Sequence, residues 1–212
     1  MPALSNLPFA RPSKIVCVGR NYAEHARELG NAVPQEPLLF LKPPSSLVPS
    51  GQPIVLPAMS KQVEYEGEIG VLIGRTLRDV SDVEAAAGIS AVLAANDVTA
   101  RDLQRSDSQW TRAKGFDSFC PVGEPHAPPA DLSTLSVVTQ VNGKERQRGS
   151  AAQMVFTIPA LVAYISRVMT LEPGDLVLTG TPAGVGTLGP GDEVQVDIPG
   201  FSTVRNPVRT HA

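Results

Sequence analysis

The stretch VEYEGEIGVLIG, Val63 to Gly74, sets three glutamates at alternate positions and then runs into apolar sequence. Strand side chains alternate between faces. Glu64, Glu66 and Glu68 therefore share one side, and Val63, Tyr65, Ile69, Val71 and Ile73 take the other. Two readings compete. Alternate charges suit the solvated face of a half-exposed antiparallel edge strand. Past Glu68, however, Ile-Gly-Val-Leu-Ile-Gly is apolar on both faces, which places the last glutamate where the strand enters the interior. Carboxylates buried side by side need a cation. A divalent ion would cancel their repulsion and use both groups as oxygen ligands.

A third acid comes from AVLAANDVTARD, where Asp97 ends a wholly apolar strand. It can cap the following turn, or a short helix starting near Thr99, or it can complete a ligand set. Glu66, Glu68 and Asp97, with no Cys or His in metal spacing beside them, suit Mg²⁺ or Mn²⁺ better than Zn²⁺. Three protein ligands leave positions open for water and a chelating substrate.

The rest of the chain frames this strand. With 212 residues and 42% hydrophobic content, residues 1–212 read as one domain with a real core. Eighteen glycines and twenty prolines make about 18% of the chain against a usual share of about 12%. That favours a turn-rich β protein. A formal charge of -3 and 5% aromatic residues exclude a basic, base-stacking surface, so nucleic acid is not an expected partner. No apolar run reaches the roughly 20 residues that span a bilayer, and the start lacks a secretory leader pattern. The expectation is a cytoplasmic protein without membrane contact. Cys17 and Cys120 sit in apolar settings and read as buried thiols.

Local signals place the elements. A strand is expected at Lys14–Val18, then a short helix with Asn21 as cap, Glu24 closing a capping box and Gly30 as stop. Residues 31–62 are broken by proline into extended pieces. Ser81 and Glu84 form a second capping box, ahead of a helix closed by Gly88. Asn142-Gly143 marks a type I′ hairpin. TIPALVAYISRVM, with Thr157 as cap and Leu161, Ile165 and Val168 at helical spacing, is the longest helix expected. EPGDLVLTG and GPGDEVQVDI each launch a strand from a Pro-Gly turn. Mixed β structure with a few short helices gives an α+β class.

Other polar groups have open readings. His25 and Glu28 are neighbours on one helix face and can form a base with its orienting carboxylate, or an ordinary surface pair. Lys114, in WTRAKGFDSFCPVG, can stabilise an enolate or lie in an exposed loop. In TGTPAGVG, N–H groups near Gly180 and Thr181 can hold a carboxylate, or the glycines can serve packed turns.

Taken together, GRNYAEHARE, EYEGEIGVLIG, ANDVTARDLQ, WTRAKGFDSFCPVG, VNGKERQ and GDLVLTGTPAGVG, in this order over roughly residues 14–200, strongly resemble the fumarylacetoacetate hydrolase family. The resemblance implies a mixed β-roll, usually a homodimer. It implies Glu66, Glu68 and Asp97 as metal ligands, Lys114 as the active-site lysine, and His25 with Glu28 as a water-activating dyad on a segment that closes over substrate. Arg101, Gln104 and Thr181 match positions that contact substrate carboxylate or oxo groups. The implied reaction is hydrolysis of a 2,4-dioxo acid to pyruvate and a carboxylic acid. Alternatives are oxaloacetate decarboxylation, isomerisation of 2-hydroxyhepta-2,4-diene-1,7-dioate, and a non-catalytic module with a structural ion. Two features qualify the match. The chain lacks the extra amino-terminal barrel of fumarylacetoacetase, which points to the short single-domain relatives. It also reads YEGE where the acylpyruvase group often has a His before its first glutamate.

Overall fold

The computed structural model describes residues 7–211. The chain begins with β1 (Ile15–Gly19), α1 (Ala23–Glu28), β2 (Leu38–Lys42), β3 (Leu47–Pro49), β4 (Ile54–Leu56), β5 (Val63–Tyr65) and β6 (Gly67–Ile73). It continues through α2 (Asp82–Ala86), β7 (Ile89–Asn96), β8 (Thr99–Ala100), α3 (Arg101–Ser106), α4 (Thr111–Lys114) and β9 (Cys120–Val122). The last part holds β10 (Ser136–Val141), β11 (Lys144–Ser150), α5 (Ile158–Val168), β12 (Leu176–Leu178), β13 (Gly186–Thr187), β14 (Glu193–Ile198) and β15 (Ser202–Thr210).

Three sheets result, two of them mixed and the smallest wholly antiparallel. The largest has the order β2-β1-β12-β6-β7-β9-β3, the second β11-β10-β14-β15-β4, and the smallest β13-β5-β8. Pairing is mostly antiparallel, with parallel contacts between β1 and β12, β3 and β9, and β15 and β4. This is the expected α+β roll of curled sheets and short helices. No helix among the described residues is long and apolar enough to cross a membrane.

The large sheet is buried on both faces, which explains why β6 is apolar after Glu68. Ile69, Val71 and Ile73 join a core with Val137, Val196 and Val204 of the second sheet and with α5. Leu72 belongs to a separate core with Ile15, Cys17, Leu93 and Leu178. Leu161 and Ile165 of α5 are fully buried, each contributing about 1.5–3 kcal/mol of transfer energy. Val168, expected on the same face, is 57% exposed as the last residue of the helix.

Most local signals are confirmed. Ser81 and Glu84 form the capping box of α2, and Thr157 caps α5. Asn142 and Gly143 take positive φ, 53° and 72°, at the β10–β11 hairpin. The Asn21 capping box is corrected. Tyr22 occupies the N-cap of α1, without a side-chain cap bond. The Asn21 amide instead donates to the carbonyls of Phe156 and Thr179, and its oxygen accepts from Phe156 N–H. A buried amide with three tertiary partners outcompetes one local cap. The helix after Asp97 begins at Arg101, two residues later than expected, because Thr99 and Ala100 pair with β5. The proline-rich region matches its extended reading except for one 3₁₀ turn at Pro44–Ser46.

Candidate active site

The site forms where β5 passes into β6 beside the end of β7. Asp97 N–H donates to the Glu66 carbonyl, and Glu66 N–H to the Asn96 side chain, so the two segments are stitched together at the acids themselves. Gly67 separates the two glutamates because a Cβ there would lie 1.9 Å from Thr139 Oγ1. Its N–H is held by Gln147. Glu66, Glu68 and Asp97 are all buried, and one carboxylate oxygen from each lies within 4.8 Å of the others. The solvated-edge and turn-cap readings of these residues are thereby removed.

Three cations answer the acids. Lys114, only 2% exposed, donates to Glu66 Oε2 at 2.7 Å and to Asp97 Oδ2 at 2.5 Å. Its ammonium also stands 4.9 Å from the centre of the Phe40 ring. Burial works to lower the Lys114 pKa, but the charges of Asp97 and Glu66 outweigh it and the pKa is raised. Lys42 donates to Asp97 Oδ1 at 2.6 Å and to the Val98 carbonyl. Arg101 spreads its guanidinium over Glu64, Glu66 and Gln104. The role of the first glutamate of the quoted stretch is thus to fix Arg101.

Glu66 and Glu68 diverge. Burial pushes the Glu66 carboxyl up, yet Lys114, Arg101 and His25 together hold it well below the usual range. Burial and then the charges of Asp97 and Glu66 drive Glu68 well above that range. Glu68 accepts the Gly180 N–H at 2.7 Å. Gly180 holds φ at +101°, and a Cβ there would lie 2.7 Å from Asn21 Cβ. The carboxylate held at this turn is therefore the protein's own. Thr181 lines the cavity, donates to the Gly67 carbonyl and accepts from Gln147. Four buried acids, Glu64, Glu66, Glu68 and Asp97, face three buried cations, Lys42, Arg101 and Lys114. An all-oxygen ligand set with surplus negative charge fits a hard divalent cation.

A cavity of about 290 Å³ opens above these acids, the size of a small-ligand site. His25, Gln104, Phe40, Trp110 and Arg20 are among its lining residues. Phe40 and Trp110 meet edge to face with ring centroids 5.2 Å apart. His25 is 4% exposed, with Nδ1 3.4 Å from Glu28 Oε2. Glu28 in turn accepts the Gly184 N–H. Of the candidate site residues, Glu66, Glu68, Asp97, Lys114, His25, Arg101, Gln104 and Thr181 line this cavity, while Glu28 stands behind His25 and Gly180 behind Glu68. Lys42 was not foreseen, although it closes the apolar run LLFLK just as Asp97 closes its strand. Gln147 carried no local signal. Both cysteines are buried, and burial raises both thiols, Cys120 to about 12.

Comparison with known proteins agrees. Residues 14–209 match the family model described as fumarylacetoacetate (FAA) hydrolase C-terminal. The Dictyostelium discoideum mitochondrial oxaloacetate decarboxylase is 44% identical over 197 residues, 90% of either chain. The Bos taurus mitochondrial oxaloacetate tautomerase FAHD1 is 42% identical over 197 residues, 90% of this chain and 89% of its own. A crystal structure of Pseudomonas aeruginosa fumarylpyruvate hydrolase, in complex with Mn²⁺ and pyruvate, superposes with a TM-score of 0.89 at 31% identity. That alignment covers 94% of this chain and 91% of the other. With the family model spanning nearly the whole chain, and relatives above 40% identity at matched length, this chain belongs to the fumarylacetoacetate hydrolase family.

Proposed function

We propose that the protein is a divalent-metal-dependent enzyme that hydrolyses the C3–C4 bond of short 2,4-dioxo acids, giving pyruvate and a carboxylic acid. One observation carries this reading: His25, with Glu28 beside its ring, lines the same cavity as the convergent acids. Mg²⁺ or Mn²⁺ held by Glu66, Glu68 and Asp97 would supply Lewis-acid charge at the oxo acid's oxygens.

The chain's own groups do the rest. His25 takes a proton from water as the hydroxyl adds to the C4 carbonyl. Glu28, itself held by Gly184 N–H, orients the imidazole and steadies its positive charge. The C3–C4 bond then breaks, its electron pair staying with the three-carbon fragment as an enolate, and the acyl half leaves as the acid. Lys114 spends two of its three donors on Glu66 and Asp97, which leaves one for the enolate oxygen. Protonation at C3 yields pyruvate and balances the reaction.

The bovine oxaloacetate tautomerase and the Dictyostelium oxaloacetate decarboxylase favour a second reading, oxaloacetate decarboxylation or tautomerisation. Decarboxylation gives the same pyruvate enolate, tautomerisation passes through the enolate of oxaloacetate itself, and neither needs an attacking water. His25→Ala, assayed with Mn²⁺ on acetylpyruvate and oxaloacetate, separates the two. On the hydrolytic reading acetylpyruvate cleavage slows by about a hundredfold or more, with Mn²⁺ affinity retained. Unchanged cleavage excludes His25 as the base. Oxaloacetate turnover without any acetylpyruvate cleavage in the natural sequence replaces the first reading by the second.

A further inference from the structure

His25 and Glu28 depend on support from outside their own helix. Helix α1 has only six residues, no side-chain cap, and Glu28 as its last residue. The Glu28 side chain is 33% exposed, and its contact with His25 Nδ1 is 3.4 Å long. An exposed pair of that length does not fix either partner. The shorter contacts of Glu28 are with Gly184 N–H, 3.1 Å from Oε1 and 3.2 Å from Oε2. Where Gly184 stands therefore decides where Glu28 stands.

Gly184 lies in a segment with little of its own to hold it. Gln147 ties down Thr181 and Pro182 on one side, and Gly186 enters β13 on the other. Among the described residues, and outside the pairing of β13 with β5, residues 183–185 have two hydrogen-bond partners. Glu28 takes the Gly184 N–H, and the Tyr65 hydroxyl donates to the Gly184 carbonyl at 3.0 Å. Gly184 has a φ of +99°, and a Cβ there would collide with the Arg146 carbonyl oxygen, so the position takes only glycine. Gly186 clears the way for the phenol, since a Cβ there would lie 2.8 Å from Tyr65 Oη. Tyr65 itself is firmly seated. It is 4% exposed, in a core with Val63, Val98, Val141 and Leu188. Consecutive residues thus serve the two halves of the site: Tyr65 reaches the loop that holds Glu28, and Glu66 lines the cavity.

We propose that Tyr65 is a positioning residue for the hydrolytic reaction: its hydroxyl fixes Gly184, the Gly184 N–H fixes the Glu28 carboxylate, and Glu28 orients the His25 ring. This rests on the hydrolytic reading above and adds to it a residue that does not itself line the cavity.

The test is a double-mutant cycle with Glu28, read alongside amide hydrogen exchange at Gly184. Tyr65→Phe keeps the ring in its core and removes only the hydroxyl. In the Mn²⁺-loaded protein it should lower kcat for acetylpyruvate about three- to tenfold with KM unchanged, the weight of one neutral hydrogen bond. In a Glu28→Ala background the same change should cost nothing further, because the phenol acts only through that carboxylate. Without metal or substrate, the Gly184 amide should exchange about three- to tenfold faster in Tyr65→Phe than in the natural protein. A loss of kcat that repeats in full in the Glu28→Ala background, or no loss in the natural background, overturns the positioning role. So does Gly184 exchange that Tyr65→Phe leaves unmoved, since the loop then holds itself. Failure of the natural sequence to cleave acetylpyruvate overturns the hydrolytic reading and Tyr65's part in it, while the exchange rate still decides whether Tyr65 holds Gly184.

Discussion

Glu68 and Asp175 are buried carboxylates at opposite ends of one strand pair, β6 and β12, and they solve the same problem in opposite ways. Asp175 is saturated. It accepts from Ser13 Oγ, from Lys14 N–H and Nζ, and from Glu172 N–H. Burial pushes its pKa up, but these donors win and hold it below the usual range. Glu68 has the Gly180 N–H for support and two acids for neighbours, and its pKa rises. A carboxylate that serves the fold is satisfied by its own neighbourhood. One that stays short of positive charge, in a cluster with spare acids, fits a cation that arrives from outside.

The strongest way to break this contrast is to remove an acid that the cations depend on. Asp97→Ala leaves Lys42 and Lys114 short of a buried partner, and should destabilise the protein by about 3–5 kcal/mol. Denaturant unfolding measures this, and a loss below about 1 kcal/mol would show that the lysines relax to water.

Glu68→Gln sharpens the contrast from the other side. It removes a like charge from the cluster, so the metal-free protein should melt at or above the natural temperature. The rise in melting temperature on adding Mn²⁺, worth about 2.7 kcal/mol at a hundredfold excess over Kd, should fall sharply. A full Mn²⁺ response in this variant would take Glu68 out of the ligand set.

Asp175→Asn should have the smallest effect, about 1–3 kcal/mol, and it should vary with pH. The folded pKa lies below the unfolded one, so the carboxylate's stabilisation is complete above about pH 4. It fades as pH falls through the folded value. The natural protein and the variant should therefore converge in stability only in acid, and a gap that stayed constant down to pH 2 would sink the assignment.

What was legible in the sequence is what neighbours along the chain decide. Alternation in EYEGE showed that the glutamates share a face, the apolar run after Glu68 showed burial, and the end of an apolar strand located Asp97. Caps and turns at Ser81, Thr157 and Asn142 were readable for the same reason: each is settled within a few residues. The tertiary structure alone decided who answers whom. Lys42 reaches Asp97 across 55 residues and Arg101 reaches Glu64 across 37, while Asn21 abandons its local cap for partners more than 130 residues away. Charge pairing in a low-dielectric interior depends on distance in space, and that distance exists only once the register of the curled sheets is set. The acids could be found by pattern, and Lys114 and Arg101 could be named from their motifs; which acid each of them holds, and the part played by Lys42, could be found only in the fold.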